Sequence, residues 1–217
     1  MAHERGFVIA LLGAESTGKT TLAFALRDAL AAQMRSAIVV PEYLREFCDR
    51  HRRTPRRDEQ GGIAAEQTHR IDAAAQAHDL VIADTSALMI AVYSDQVFGD
   101  TSLYPSAEAA QRACDLTLLT ALDLPWQADG LQRDGPQVRE PVDAKVRAAL
   151  ARAGTPYSVV FGSGAARLAA ALASVQRARA PRSGDNDERG GEASRWHWRC
   201  ERCGDPNCER HGLLPRG

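Results

Sequence analysis

The most constraining feature of the chain is a glycine-rich segment between two apolar runs. Residues 13–20 read Gly-Ala-Glu-Ser-Thr-Gly-Lys-Thr, after an apolar run over 7–12 and before apolar residues at helical spacing over 21–30. The first run predicts a buried strand and the second predicts a helix. Strand, G-x4-G-K-[ST] loop and helix in this order predict a loop that wraps the phosphates of a nucleotide.

Each part of this loop has a physical role in binding phosphate. The glycines let the backbone approach the phosphate oxygens, and the first turn of the helix points unpaired N–H groups at them. We expect Lys19 to reach the outer phosphates and the Thr20 hydroxyl to bind Mg²⁺. The predicted contacts with ATP are made by Gly13, Ala14, Glu15, Ser16, Thr17, Gly18, Lys19, Thr20 and Thr21.

The rest of the chain alternates short apolar runs with helical patterns. Further strands are predicted over 37–40, 80–83, 116–120 and 157–161, with helices between them. This alternation predicts an α/β fold of the P-loop NTPase type, with a mostly parallel sheet of about five strands and helices on both faces.

Composition and charge exclude several classes of protein. Of the 217 residues 44% are hydrophobic and the formal net charge is −1, so the chain can build a core but has no bulk attraction to nucleic acid or to an acidic membrane. No apolar run is long enough to span a bilayer, and we expect no signal peptide in the first six residues. These observations predict a cytoplasmic protein without a membrane partner.

The composition changes near residue 179. Residues 179–194 contain no apolar side chain larger than alanine or proline, which is typical of a flexible linker. The predicted organisation is a P-loop domain over 1–178, this linker over 179–194, and a small module over 195–217.

The C-terminal module carries two pairs of metal-ligand residues, each pair with two residues between its members. The pairs are separated by four residues, and four sulfur and nitrogen ligands suit a closed tetrahedral zinc site. Metal would supply most of the folding energy of so short a segment. A tail with free thiols is the alternative. The predicted ligands of a structural, zinc-knuckle-like Zn²⁺ site are Cys200, Cys203, Cys208 and His211.

Asp84 ends an apolar strand, at the carboxyl edge where open α/β sheets bind their ligands. A carboxylate there can hold Mg²⁺ or accept the proton of an attacking hydroxyl. The alternative is that Asp84 only caps the following helix, a role for which Thr85 and Ser86 compete.

An acid, an aromatic and a guanidinium follow the second predicted strand. Glu42 could bind ribose hydroxyls or act as the base, Tyr43 could stack on a ring, and Arg45 could pair with a phosphate or carboxylate. This cluster suits a small polar substrate that carries a ring. A surface turn with local ion pairs is the alternative.

The polar segment 123–139 is too long for a simple connection, which indicates a lid or binding loop. Arg133 is our first candidate, and Arg139 our second, for an arginine that neutralises charge on a transferring phosphoryl group. Trp126 could stack on a substrate base. The alternative is a solvated loop with a packed tryptophan.

The stretch 50–57 contains five arginines and one histidine. No aromatic residue is interleaved with them, so a solvated surface is favoured over a nucleic-acid site.

Four of these segments together resemble the ribosylnicotinamide kinase domain of the NadR-type proteins. They are the loop 13–20, the segment Pro-Glu-Tyr-Leu-Arg-Glu at 41–46, Asp-Thr-Ser at 84–86, and residues 123–133. The resemblance covers about residues 6–177. It implies a kinase of NAD biosynthesis that transfers the γ-phosphoryl of ATP·Mg²⁺ to the 5′-hydroxyl of nicotinamide riboside and forms nicotinamide mononucleotide.

The resemblance also implies roles for single residues. Lys19 and Thr20 would bind ATP·Mg²⁺, Asp84 would lie at the metal or the hydroxyl, and Arg133 would belong to the lid. The predicted catalytic residues are Lys19, Asp84, Glu42 and Arg133. The predicted substrate-binding residues are Glu42, Tyr43, Arg45, Trp126 and Asp129.

Two alternatives to this function stay open. The chain could phosphorylate another nucleoside or metabolite, or it could be an ATP-switched regulatory protein that contacts nucleic acid or protein through its C-terminal module. The near-neutral charge and the acid–aromatic–arginine cluster favour the kinase with a nucleoside as its partner. The sequence leaves open which carboxylate is the base and whether the chain forms a homo-oligomer.

Overall fold

The computed structural model describes residues 5–31, 36–127 and 135–180. In these ranges five strands form one sheet in the order β2-β3-β1-β4-β5, and every neighbouring pair is parallel. The predicted α/β sheet of about five mostly parallel strands is therefore confirmed. The strands are β1 (Phe7–Leu12), β2 (Ala37–Val40), β3 (Leu80–Asp84), β4 (Leu116–Thr120) and β5 (Ser158–Val160).

The connections between the strands contain α-helices that cover both faces of the sheet, as predicted. Helix α6 begins at Arg139, so Pro141 lies in its first turn. A proline is tolerated there, because the first turn of a helix needs no backbone N–H from it. The described helices are α1 (Lys19–Ala31), α2 (Tyr43–His51), α3 (Gln60–Ala77), α4 (Ala87–Phe98), α5 (Tyr104–Arg112), α6 (Arg139–Ala153) and α7 (Gly164–Arg179).

The alternation of side chains along β1 divides the core between the two faces. Ile9 and Leu11 pack with residues of α1 and α7 on one face. Val8 packs with residues of α3, and Leu12 packs with residues of α2 to α6, on the other face. Because β1 is covered on both sides, its sequence is a continuous apolar run and not an alternating one.

The parallel arrangement brings the carboxyl ends of all five strands to one edge of the sheet. The chain crosses from β3 over β1 to β4, so β1 lies where the direction of the connections reverses, and such a point forms a binding crevice in open α/β sheets. Leu11 of β1 pairs in register with Asp84 of β3. The glycine loop after β1 and the acid that ends β3 therefore lie side by side.

Candidate active site

The glycine loop packs closely against the end of β4. Gly13 has φ +148°, and a Cβ at this position would lie 2.1 Å from Oγ1 of Thr120. Gly18 has φ +73°, and its Cβ would lie 3.0 Å from a methyl carbon of Leu124. Both positions require glycine, because a side chain would meet both a disfavoured backbone conformation and a neighbouring residue.

Two buried hydroxyl groups hold the glycine loop against the end of β4. Thr17 and Thr120 are fully buried. Oγ1 of Thr17 donates to the carbonyl of Ala14 at 2.8 Å, and Oγ1 of Thr120 lies 2.7 Å from Oγ1 of Thr17 and 3.1 Å from the carbonyl of Leu12. Thr120 was not predicted from the sequence, since a threonine at the end of a strand carries no signal for a contact more than a hundred residues away.

The side chain of Lys19, which is predicted to bind the outer phosphates, contacts the backbone of the glycine loop. Its Nζ donates to the carbonyls of Gly13 and Ala14, each at 2.9 Å. A phosphate in the loop would meet an ammonium group already held within reach by the backbone.

The loop forms one wall of a cleft of about 760 Å³. Of the predicted ATP contacts, Gly13, Ala14 and Glu15 are outside its lining, and Ala14 and Glu15 are buried. Arg45 and three residues that follow β4 form other parts of the wall. The lining residues are Ser16, Thr17, Gly18, Lys19, Thr20, Thr21, Arg45, Leu124, Pro125 and Gln127.

The structure brings the two predicted Mg²⁺ ligands together. Oγ1 of Thr20 donates to Oδ2 of Asp84 at 2.5 Å. Asp84 is 3% exposed, and its Oδ1 is buried without a hydrogen-bond partner among the described residues. Mg²⁺ in nucleotide sites binds one or two protein oxygens together with water and phosphate oxygens. A hydroxyl beside a carboxylate with an unused oxygen fits that ion.

Asp84 is not the cap of the following helix. The N-cap of α4 is Ser86, whose side chain accepts a hydrogen bond from the backbone N–H of Leu88 at 3.2 Å and donates to Gln111 at 2.6 Å. The capping alternative for Asp84 is therefore wrong, because Ser86 performs that role and Asp84 faces Thr20 instead.

Thr85, between these two residues, has an unusual backbone conformation. Its φ is +85°, which is strained for a β-branched residue. The side chain is 1% exposed, and its hydroxyl has no hydrogen-bond partner in the ranges that the structure covers. A single residue joins the strand end to the cap of α4, so the turn is tight, and strain of this kind is common at functional sites.

The predicted substrate cluster lies at the start of α2. Arg45 lines the cleft, and its Nη2 lies 3.4 Å from Oε2 of Glu42. Tyr43 does not line this cleft, and the guanidinium of Arg70 covers its ring at 4.3 Å from the ring centre. The structure thus brings Arg45 to the cleft wall and places Glu42 behind it as its ion-pair partner, whereas one face of Tyr43 is already occupied within the protein.

Residues 123–127 are fixed to the sheet edge by two sets of contacts. Oγ of Ser16 donates to the carbonyl of Gln127 at 2.8 Å and accepts from its N–H at 3.1 Å. Asp123 accepts from the N–H of Gly162 at 2.5 Å and lies 3.5 Å from Nη1 of Arg167. Burial lowers the pKa of Arg167, partly offset by Asp123. The start of the predicted lid is therefore anchored to the glycine loop and to the end of β5.

Of the site residues predicted in segment 123–139, the structure describes Trp126 and Arg139 in addition to Asp123. Trp126 is partly buried, does not line the cleft, and has a buried indole N–H without a partner in the described structure. Arg139 is 8% exposed, and its Nε and Nη2 have no hydrogen-bond partner there either. Asp129 and Arg133 lie outside the described residues.

Several arginines near residues 50–57 are paired with carboxylates. Two hydrogen bonds from Arg53 and one from the backbone of Arg56 lower the pKa of Glu59 to about 2. Arg50 pairs with Glu46, which also pairs with Arg70. Such pairing favours the solvated-surface interpretation of this stretch over contact with nucleic acid.

The predicted zinc ligands lie outside the described residues, and they stay a proposal that metal analysis of the full chain can test. Across ranges 5–31, 36–127 and 135–180, no three His, Cys, Asp or Glu side chains cluster closely enough to hold a metal ion. In the same ranges, no helix has the length and apolar character needed to cross a membrane. The ligands concerned are Cys200, Cys203, Cys208 and His211.

Comparison with solved structures finds the same fold in two structures of the NadR protein and in a thymidylate kinase. The chain is similar to the NadR protein in complex with NR, with TM-score 0.65 and 20% identity over 81% of this chain and 51% of that one. It is also similar to the NadR protein in complex with NAD and AMP-PNP, with TM-score 0.59 and 20% identity over 79% of this chain and 49% of that one. The chain thus spans about half the length of these NadR chains.

A thymidylate kinase from Ehrlichia chaffeensis has TM-score 0.58 and 14% identity, over 80% of this chain and 99% of that chain. At these identities the likeness establishes the fold alone. The resemblance to the NadR-type kinase domain, predicted from the sequence, is confirmed at that level. No curated protein matches the sequence.

A sequence family described as AAA domain matches residues 8–167. This range holds all five strands of the described sheet, the glycine loop and Asp84. The chain therefore belongs to the AAA domain family and has the fold of the P-loop kinases.

Proposed function

We propose that the chain is an ATP-dependent kinase that phosphorylates nicotinamide riboside to nicotinamide mononucleotide. The observation that carries the proposal is the 2.5 Å contact between the Thr20 hydroxyl and the Asp84 carboxylate, at the edge of a cleft that Arg45 also lines. Phosphoryl transfer to a small molecule needs a loop that binds the phosphates, side chains that hold Mg²⁺, and a polar cluster of the size of the substrate.

On the nucleotide side the chain acts by holding and neutralising phosphates. The backbone N–H groups of the loop and of the start of α1 bind phosphate oxygens, and Lys19 exchanges its loop carbonyls for the outer phosphates. Thr20 and Asp84 would hold Mg²⁺, which would supply positive charge that stabilises the transferring group. Gln127, held to Ser16, forms this side of the cleft together with Leu124 and Pro125.

On the acceptor side a carboxylate orients the 5′-hydroxyl and accepts its proton. Two carboxylates are candidates: Oδ1 of Asp84, which has no partner in the described ranges, and Glu42, which is 3.4 Å from Arg45. Arg45 would hold a polar group of the nucleoside at the cleft wall.

An arginine from the segment after β4 neutralises charge on the transferring phosphoryl group. Arg133 keeps the role proposed from the sequence. Arg139 is a second candidate. Its guanidinium is buried, and Nε and Nη2 have no partner in the described chain, so a bound anion would strongly stabilise its charge. It is one turn before Val142, which packs in the same cluster as Ala14 of the glycine loop and Ala87 at the start of α4.

The choice of nicotinamide riboside is supported by the four segments shared with NadR-type kinase domains and by the fold likeness to the NadR protein in complex with NR. A kinase for a different nucleoside or a nucleotide is the second candidate, because the likeness to thymidylate kinase extends over 99% of that chain. Turnover of a panel of nucleosides and nucleoside monophosphates distinguishes these candidates.

The test is release of ADP from ATP·Mg²⁺ by the purified protein, with and without nicotinamide riboside, together with the mass of the product. We expect strong stimulation and one nicotinamide mononucleotide for each ADP. Lys19→Ala should abolish transfer while the far-ultraviolet circular dichroism stays that of the wild type. Full activity in a folded Lys19→Ala protein would contradict the mechanism, and no stimulation with ATP binding intact would transfer the proposal to another acceptor.

A further inference from the structure

A fully buried glutamine connects α3 to the turn that carries the predicted substrate residues. Gln67 is 0% exposed. Its Oε1 accepts a hydrogen bond from the backbone N–H of Tyr43 at 2.7 Å, and its Nε2 donates to the carbonyl of Pro41 at 3.3 Å. The two ends of one side-chain amide therefore hold the backbone on both sides of Glu42.

These bonds replace the cap that α2 lacks. The first N–H groups of a helix need partners from outside the helix, and the side chain of the N-cap residue usually provides one. Glu42 is the N-cap of α2, but its side chain makes no capping hydrogen bond. Gln67 satisfies the N–H of Tyr43 instead, so the carboxylate of Glu42 is left to approach Arg45 at 3.4 Å.

A second contact from the same helix supports this turn. The guanidinium of Arg70, one turn after Gln67, covers the ring of Tyr43 and pairs with Glu46 and Glu66. The hydrogen bonds to Glu46 and Glu66 raise the pKa of Arg70, so its charge is constant. The face of α3 that carries Gln67 and Arg70 thus fixes the start of α2.

We propose that Gln67 is a positioning residue for the acceptor side of the cleft, and this inference rests on the proposed function. By holding the backbone of residues 41–43, Gln67 fixes the position of the Glu42 carboxylate. Through that carboxylate it also fixes the position of the Arg45 guanidinium, which lines the cleft. A neutral amide is required, because the same side chain must accept from one backbone group and donate to another.

The test replaces Gln67 with Met, which has similar volume but neither bond, and with Glu, which keeps only the acceptor. Gln67→Met should raise the KM for the nucleoside about tenfold or more while the KM for ATP changes less than about twofold, because only the acceptor side loses its support. Gln67→Glu should have an intermediate effect. Equal changes in both KM values, or no change in either, would overturn the proposal.

Ile71→Val is the matched control. Ile71 is buried one turn further along α3 and packs in the core cluster of Val8, Val40 and Val81, whereas Tyr43 packs against the separate cluster that contains Leu12. The control should lower the melting temperature with both KM values unchanged. If it raised the nucleoside KM as much as Gln67→Met, general loosening of α3 would explain the effect and positioning would be refuted.

A double-mutant comparison tests whether Gln67 acts through its neighbours. In a Glu42→Gln/Arg45→Ala background, adding Gln67→Met should change the nucleoside KM less than about twofold, since residues that act as a unit are not additive. A full additional tenfold effect would show that Gln67 acts independently of this pair and would overturn the assignment.

Amide hydrogen exchange separates this inference from the proposed function. The N–H of Tyr43 is bonded to Gln67, so Gln67→Met should accelerate its exchange about tenfold or more, whereas Ile71→Val should not. Unchanged exchange refutes the positioning role whatever the substrate is. Accelerated exchange in a protein that does not phosphorylate nicotinamide riboside would support the clamp and refute only the proposed substrate.

Discussion

Gly13→Ala is predicted to damage both the stability of the chain and its nucleotide site. The added Cβ would lie 2.1 Å from Oγ1 of Thr120, 3.1 Å from Oγ1 of Thr17 and 3.2 Å from the carbonyl oxygen of Thr120. Oγ1 of Thr120 cannot move away cheaply, because it also lies within hydrogen-bond distance of the carbonyl of Leu12. The glycine loop itself must therefore shift.

The magnitude follows from two separate costs. Forcing a methyl group into a packed region costs about 1–3 kcal/mol. An alanine at φ +148° adds strain of roughly 1–3 kcal/mol. Together the free energy of unfolding should fall by about 2–6 kcal/mol, which is about 4–24 °C in melting temperature for a domain of this size.

Gly154→Ala is the control for the backbone term. Gly154 ends α6 with φ +60°, and a Cβ there meets no atom within 4 Å. The left-handed strain in Gly154→Ala should lower the free energy of unfolding by only about 1–2 kcal/mol. Both variants replace glycine by alanine, so they share the same change in the entropy of the unfolded state. The difference between the two variants therefore measures the contact with Thr17 and Thr120 together with the extra strain of φ +148° over φ +60°.

Urea unfolding followed by circular dichroism, with ATP affinity measured in parallel, provides the assay. Gly13→Ala should be less stable than Gly154→Ala, and it alone should lose ATP affinity. Adding Thr120→Ala to Gly13→Ala should recover part of the stability, because it removes the nearest atom of the clash. Equal stability of the two single variants, or no recovery in the double variant, would refute the reasoning.

Two further predictions concern the proposed Mg²⁺ ligand Asp84 and the partly buried thiol of Cys114. Asp84→Asn should lower Mg²⁺-dependent transfer by about 10²–10⁴-fold in steady-state assays while ATP binding without metal is retained; wild-type transfer would contradict its role. Burial raises the pKa of Cys114 to about 12 from an ordinary 9.0. The folded state therefore retains this proton longer than the unfolded state, and stability falls as pH rises from about 9 towards 12. Urea midpoints should show a shallower fall in Cys114→Ala, and parallel curves would contradict this cause.

Local patterns were sufficient to predict the elements of the fold. The apolar run of β1, the glycine loop and the helical spacing of α1 are determined within about 25 neighbouring residues, so their periodicity indicates them directly. The same holds for the strand that ends at Asp84 and for the order of strands and helices, which predicts a parallel sheet. The resemblance of four short segments to one kinase family also needs no tertiary information.

The sequence alone determined the fold class, the loop and the carboxyl-edge position of its candidate residues, because each depends on residues close in the chain. Only the tertiary structure decided how these residues are held. Thr120 supports Thr17 across 103 positions, Ser16 fixes Gln127 across 111, and Gln67 caps Tyr43 across 24. Such partners are chosen by the packing of separate elements at one sheet edge, and a polar side chain carries no local pattern that indicates a distant partner.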